Sequence, residues 1–313
     1  MKSIVEIKVF ILCLVLGLAI SSCKENIEPE MAQVHEKKEN YDSNPTKETA
    51  AGYIAAVTLY SAQNPQTSET KKLLKEARKV AEEQKQSVVS AGLLNELIKQ
   101  FPSDSDANGN ISELIISMEE IGKKSASQAL KFFYTQKYPN DEKSETYLAS
   151  MGQMPANSAD FLQAKGELIF ENVDAMGLNR NAAFEYVDAT EAYVMVNPTT
   201  EDAPANLFKA AEIAKTVGTF KKALSLYDWV VNTYPESKQA PMALFLKAFV
   251  LEDNMKNIEA ARSVYEQFLA SYPDHSFADD AEFSLNNLGK TNEEIQAELE
   301  KLQQQNQANN NDE

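Results

Sequence analysis

Apolar residues recur at helical spacing along most of the chain. Leu207, Ala210, Ala211 and Ala214 mark one helix, and Ala260, Ala261, Val264, Tyr265, Phe268, Leu269 and Tyr272 mark another. No comparable run of β-branched alternation occurs between residues 200 and 290, so strands are not competitive there. Upstream, Leu73, Leu74, Ala77, Val80 and Ala81 form one stripe, and Val89, Leu93, Leu94, Leu97 and Ile98 form a second. Downstream, Gly289 closes a helix, Thr291 with Glu294 forms a capping box, and Ile295, Leu299 and Leu302 give a last stripe. Two stretches lack core residues. Residues 24–48 are mostly Lys, Glu, Asn, Gln, Ser, Thr and Pro, and the Gln- and Asn-rich end follows Leu302, so both are expected to be disordered.

A repeat underlies the helical pattern. Phe101-Pro102, Tyr138-Pro139, Asn197-Pro198, Tyr234-Pro235 and Tyr272-Pro273 are spaced by 37, 59, 37 and 38 residues. Alanine stands five residues after four of these prolines, at Ala107, Ala203, Ala240 and Ala278, with Ser144 at the remaining place. The 59-residue interval has room for an extra helix or a decayed unit. Ala223, Tyr227 and Pro235 share their offsets with Ala261, Tyr265 and Pro273. The alanine lets two helices cross closely, and the aromatic one turn later fills the space between neighbouring hairpins. The proline stops the second helix, because it lacks an N–H and clashes with the preceding turn.

This arrangement resembles tetratricopeptide-repeat lipoproteins. It is closest to the Tyr-Pro-x-Ser-x-x-Ala type seen in the lipoprotein supporting outer-membrane β-barrel assembly and in the coordinator of the Tol-Pal system. Tyr234, Pro235, Ser237 and Ala240 carry the match, followed by Tyr272, Pro273, Ser276 and Ala278 with the serine one place late. The fold expected is an all-α solenoid of tetratricopeptide-like hairpins, with the resemblance strong over 201–290. Residues 49–200 are read as degenerate hairpins, in which Ser127 takes the place of the close-crossing alanine. Since such units bury their faces only against neighbours, at least three are needed for stability.

The N-terminal segment has a separate meaning. Lys2 and Lys8 precede an apolar run from Val9 to Ile20, which ends in Ile20-Ser21-Ser22-Cys23. A run of about 12 residues is too short to span a bilayer core needing roughly 20, and the order of parts reads as a cleaved secretory signal. The ending resembles a bacterial lipoprotein signal box. By that resemblance residues 1–22 are a signal peptide and Cys23 is the lipidated first residue of the mature chain, with an ordinary signal peptide as the alternative. Residues 23–48 would be a tether of on the order of 25 to 30 Å. Cys23-Lys24-Glu25, with Glu28 and Glu30, resembles the export signal on surface lipoproteins of Bacteroidota, and fits an ordinary charged tether equally. The expected place is the outer membrane, on its periplasmic face or at the cell surface.

Charge and chemistry narrow the function. The chain holds 47 acidic and 30 basic residues, a net −17, a field that repels phosphate backbones, so no nucleic-acid partner is expected. The two cysteines, Cys13 and Cys23, leave the mature body no internal disulfide. His35 and His275 are the only histidines and share no motif, so neither a histidine-based metal site nor a catalytic base is expected. The adjacent acids Glu82-Glu83, Glu119-Glu120 and Asp279-Asp280 read as charged helix faces, and Trp229 as packing between hairpins. With 10 glycines scattered along 313 residues, no phosphate-cradling loop is visible, and no cofactor is called for.

The function expected is a non-enzymatic, lipid-anchored scaffold with protein partners, and the resemblance implies a role in envelope or outer-membrane protein assembly. The resemblance implies that first helices line a concave surface, which here gives Phe208, Glu212 and Lys215 in one unit and Leu246, Val250 and Asp253 in the next. Solvated and packing roles fit the same six residues. The alternative function is a glycan-binding lipoprotein of a nutrient-uptake system, in which Phe161, Phe170, Phe184, Tyr186 and Tyr193 would matter, although their spacing looks helical.

Overall fold

Four turns share one backbone signature. Lys85, Gly122, Gly218 and Lys256 adopt positive φ between 53° and 79°, and each stands 17 residues ahead of a proline, at Pro102, Pro139, Pro235 and Pro273. The computed structural model describes residues 29–301, except 176, 292, 298 and 299. All regular structure among the described residues is helical: α1 (Pro29–Ser43), α2 (Lys47–Gln63), α3 (Ser68–Glu83), α4 (Ser87–Gln100), α5 (Ala107–Glu120), α6 (Lys124–Lys137), α7 (Glu142–Ser150) and α8 (Ser158–Glu167). A 3₁₀ turn (Leu168–Phe170) follows, then α9 (Arg180–Val196), α10 (Ala203–Thr216), α11 (Phe220–Thr233), α12 (Gln239–Phe249), a π-helical segment (Val250–Asn254), α13 (Ile258–Ser271) and α14 (Ala278–Asn287). No described helix is long and apolar enough to cross a membrane.

The helices fall into two compact units, divided between Gln86 and Ser87. The first contains α1 to α3. Its α1 overturns the expectation of a disordered tether over residues 23–48, from Pro29 onward. Val34 and Tyr41, seven residues apart and so on one helix face, are both buried, and α1 packs on α2. The Tyr41 hydroxyl donates to Glu83 Oε2 at 3.0 Å and accepts from Gln84 Nε2 at 3.2 Å. Two anchoring residues and a polar remainder suffice for a helix that needs only one face covered. A Thr46–Thr49 capping box opens α2.

In the second unit, helices adjacent in the chain pack in order from α4 to α14, so this unit is an all-α solenoid of helical hairpins. The alanines and aromatics of the repeat do what their spacing requires: Ala223, Tyr227, Ala261 and Tyr265 are fully buried. Ser127 takes the small-residue place on α6 and is buried there. The order breaks once. Inside the 59-residue interval α7 is an extra helix, and α6 packs directly on α9. There α8 lays Phe161 flat against Phe132, with ring centroids 4.5 Å apart, and edge-on to Phe133 at 5.2 Å.

Four of the residues before the repeat prolines share one cap geometry: Tyr138, Asn197, Tyr234 and Tyr272 have φ from −122° to −136° and ψ from 52° to 59°, outside the α region that a following proline disfavours. Asn64, before Pro65, repeats it at φ −124° and ψ 59°, and Pro65 lies 37 residues ahead of Pro102. The periodicity therefore reaches one unit further upstream than the aromatic-proline pairs indicate. At the place five residues on, the alanine is exchanged for Thr70 and Ser144, whose hydroxyls donate to Asn64 O at 2.5 Å and Tyr138 O at 2.6 Å. Both hydroxyls bond the backbone within their own turn, which is why a polar residue is accepted at a buried position.

Lysine in the left-handed region carries a steric cost that glycine avoids. Lys256→Gly is expected to raise stability by about 0.5–1 kcal/mol and Gly218→Ala to lower it by about 1 kcal/mol. Urea unfolding of the two variants checks both signs, and equal shifts in one direction would show that the turn conformation does not set them.

Candidate functional site

A concave site in the second unit lies between two of its helices. A cavity of about 390 Å³ opens between α8 and α10, with Tyr186 of α9 among its walls and Phe170 of the 3₁₀ turn at its edge. Helix α8 is fixed from beneath by the Phe161 stack and from the side by Lys165, paired with Glu185 of α9 at 2.6 Å. The α9 N-terminus is tied to α10 by Arg180, which donates to Val217 O at 2.7 Å. From α10 come Asp202, Asn206 and Lys209, at the four- and three-residue spacing that aligns side chains along one helix face.

The polar groups of this site are partly committed. Asp202 accepts from Tyr193 Oη at 2.7 Å and from Asn206 Nδ2 at 3.0 Å. Burial raises the Tyr193 phenol above its ordinary range, with Asp202 adding to the effect and the Thr200 contact opposing it. The Lys209 ammonium lies 5.3 Å from the Tyr186 ring centroid, a cation–π contact worth about 0.5–1 kcal/mol at an exposed site. Phe170 is 71% exposed. The result is an apolar wall and lip, flanked by a cation and by amides still able to bond a guest.

The six residues expected to line the groove distribute differently. Phe208 packs within its own hairpin, 6.1 Å from the Tyr227 ring. Glu212 accepts from Tyr227 Oη and from Lys215 Nζ, the latter at 2.8 Å, so three of the residues serve one hairpin's interior. Asp253 is exposed and lies 3.5 Å from Lys256. Val250, the first residue of the π segment, is fully buried, which excludes it from a groove. Leu246 is half-buried, and it stands 11 residues after Pro235 as Lys209 stands 11 after Pro198. The cavity face is thus the run 202, 206, 209. The apolar stripe Leu207, Ala210, Ala211, Ala214 could have pointed to it, since 202, 206 and 209 flank that stripe on the side of the preceding hairpin.

A second polar group lies wholly inside. Glu191 of α9, 4% exposed, accepts from Lys99 Nζ of α4 and Lys222 Nζ of α11, both at 2.9 Å. Burial alone would raise the Glu191 carboxyl, but the two ammonium groups outweigh it and hold it down at about 2. Asp188, one turn earlier, is pushed up to about 6, first by burial and then by Glu191, against the pull of Lys222 and Lys123. Lys99 also lies 4.6 Å over Trp229, whose buried ring is packing between helices. Spacings of 92 and 31 residues hid this network. Its one sequence signal is an acid on the buried face of an otherwise apolar α9.

The histidines take no part in either site. His35 is exposed on α1, and His275 shapes a turn, its Nδ1 accepting from the Phe277 N–H at 3.2 Å while its ring stacks on Phe277. Among the described residues no three His, Cys, Asp or Glu are grouped to hold a metal ion. Cys23 lies outside the described residues, as do Leu299, Leu302 and the end of the chain.

No curated protein matches the chain. The family model described as Tetratricopeptide repeat matches residues 242–275, from the first turn of α12 to the turn after α13, and this chain therefore contains a tetratricopeptide repeat within its stack of hairpins.

Proposed function

We propose that the chain is a non-enzymatic protein-binding scaffold, held at the outer membrane by a lipid on Cys23, and that the cavity between α8 and α10 receives a segment of its partner. Tetratricopeptide repeats generally mediate protein–protein contacts. What supports the site is Phe170, a large ring left in solvent beside a cavity walled by Leu162 and Tyr186. Exposed aromatics at a preformed pocket are the usual anchors of a protein interface. The similarity to lipoproteins of envelope assembly supports the placement and, within this reading, a role in organising outer-membrane components.

A photocrosslinking residue at position 170 or 209 of the full chain, in intact cells, tests this. One discrete adduct is expected at both positions, lost on Phe170→Ala when the crosslinker is at 209, and unchanged by Phe249→Ala on α12. Adducts indifferent to Phe170 would remove the cavity from the proposal. A glycan array probed with the purified chain decides the alternative, because Phe170 beside Gln163 and Asn206 also suits a sugar ring. Cys23→Ala is expected to release the chain from the membrane fraction.

A further inference from the structure

Two walls of the cavity between α8 and α10 carry the same pair of side chains. On α8, Gln163 Nε2 donates to Glu167 Oε1 at 2.9 Å, and at the start of α10, Asn206 Nδ2 donates to Asp202 Oδ2 at 3.0 Å. Each is an acid and an amide four residues apart on one helix face. An ionised carboxylate only accepts, so each amide gives its NH₂ to the acid and leaves its carbonyl oxygen open. Among the described residues no cation answers either acid: the Glu167 carboxylate receives Gln163, and the Asp202 carboxylate receives Asn206 and Tyr193. The one ammonium in the lining, Lys209, lies instead over the Tyr186 ring, 5.3 Å from its centroid.

This lining asks for a guest that donates hydrogen bonds and carries positive charge. Two acids stand in it against one cation, within a chain of net charge −17, and a carboxylate or phosphate guest would meet Glu167 and Asp202 as like charges. A guanidinium presents five N–H donors in one plane, and its face stacks on aromatic rings. Phe170, 71% exposed at the edge of the cavity, offers such a ring. An ammonium would answer the acids as a point charge but lacks the flat fork that suits a ring and paired acceptors together. We propose that the segment entering this cavity presents an arginine from another protein, its guanidinium lying against Phe170 and donating to the Gln163–Glu167 and Asp202–Asn206 pairs. This rests on the reading of the cavity as the partner's seat and adds the chemistry of the group that enters it.

Short peptides of Gly, Ser and Ala, alike but for one central Arg, citrulline or Glu, test the proposal by ligand-observed NMR on the purified full chain. The Arg peptide is expected to bind, the citrulline peptide, equal in shape but uncharged, to bind about fivefold more weakly, and the Glu peptide to fail. Phe170→Ala should weaken the Arg peptide about tenfold, and Glu167→Gln several-fold. Lys209→Met should strengthen it about two- to threefold, because it removes a like charge. Phe170, Glu167 and Lys209 are exposed, so these variants should keep the thermal melt of the parent. Failure of the Arg peptide, equal binding of the Arg and Glu peptides, indifference to Phe170→Ala, or weaker binding on Lys209→Met would overturn the proposal. So would displacement of the Arg peptide by glucose, which would assign the cavity to a sugar, or a dimer in sedimentation that Phe170→Ala dissociates, which would assign it to a second copy. Mapping the crosslinked adduct at position 170 separates this proposal from the reading beneath it. A captured segment with an arginine at the junction supports both, one without arginine overturns the arginine alone, and no adduct at 170 or 209 overturns both.

Discussion

Truncating Phe161 to alanine is expected to cost about 3–5 kcal/mol of unfolding free energy, the usual range for a buried aromatic, and to loosen one wall of the cavity. Phe161 is the residue through which α8 is fastened: it stacks on Phe132 and meets Phe133, which in turn meets Tyr193 at 5.3 Å. Its ring neighbours Phe132 and Phe133 are both buried on α6, so the space it leaves cannot be closed by one side chain moving. Besides this cluster α8 packs along α9 and carries the Lys165–Glu185 pair, with Glu185 44% exposed at its side chain, and such pairs contribute little. Urea unfolding combined with hydrogen exchange should show a global loss and a larger, local loss of protection over Ser158–Glu167. A loss spread evenly over the second unit would mean that α8 is not pinned by this ring.

Replacing Glu191 by alanine is expected to cost about 3 kcal/mol, at the lower end for breaking a buried ion network, because it strands Lys99, 11% exposed at its side chain, while Lys222 at 41% can turn to water. The pH dependence has a definite sign. Glu191 has its carboxyl lowered from 4.5 to about 2, so its contribution is fully present above about pH 4.5 and is lost as pH falls toward 2. Asp188 behaves oppositely, raised from 3.8 to about 6. Its contribution is present below about pH 3.8 and lost as pH rises through 6, so at pH 7 its charge is a burden. Asp188→Asn should therefore stabilise the chain by about 1–2 kcal/mol at pH 7 and by nothing measurable below pH 4. Unfolding midpoints collected from pH 3 to 8 separate the two, and curves for parent and Asp188→Asn that stay parallel would contradict the assignment.

How much of this was legible in the sequence depends on range. The hairpins between Ala203 and Pro273 announce themselves because turn, small residue, aromatic and stop all lie within one unit, and each acts on its nearest neighbours. The helix at Pro29–Ser43 does not, because its polar composition hides that Val34 and Tyr41 share a face and find cover two helices away. Asn64-Pro65 was legible, since it repeats the pair Asn197-Pro198 and lies 37 residues ahead of Pro102, and Asn64 has the cap geometry of Asn197. The resemblance gives Phe208, Glu212 and Lys215 as one helix face, and only the structure shows that they also meet partners within their own hairpin. Buried Val250 shows the further effect of a single irregular turn. The Lys99–Glu191–Lys222 network and the Phe132–Phe133–Phe161–Tyr193 cluster join residues far apart in sequence, and only tertiary packing brings them together.

The π segment at Val250–Asn254 accounts for the single interval of 38 between prolines where neighbouring intervals are 37. Pro235 lies 21 residues before Lys256, whereas Pro198 lies 20 before Gly218, and the stretch from turn to stop keeps its length in both. The additional residue has thus been absorbed as a bulge in the first helix, without displacing the turn or the terminating proline. In this unit the insertion falls within the first helix, while the stretch from turn to proline keeps its 17 residues as a fixed spacer for the next unit. A residue added to a first helix can then be taken up without forcing the next unit to readjust.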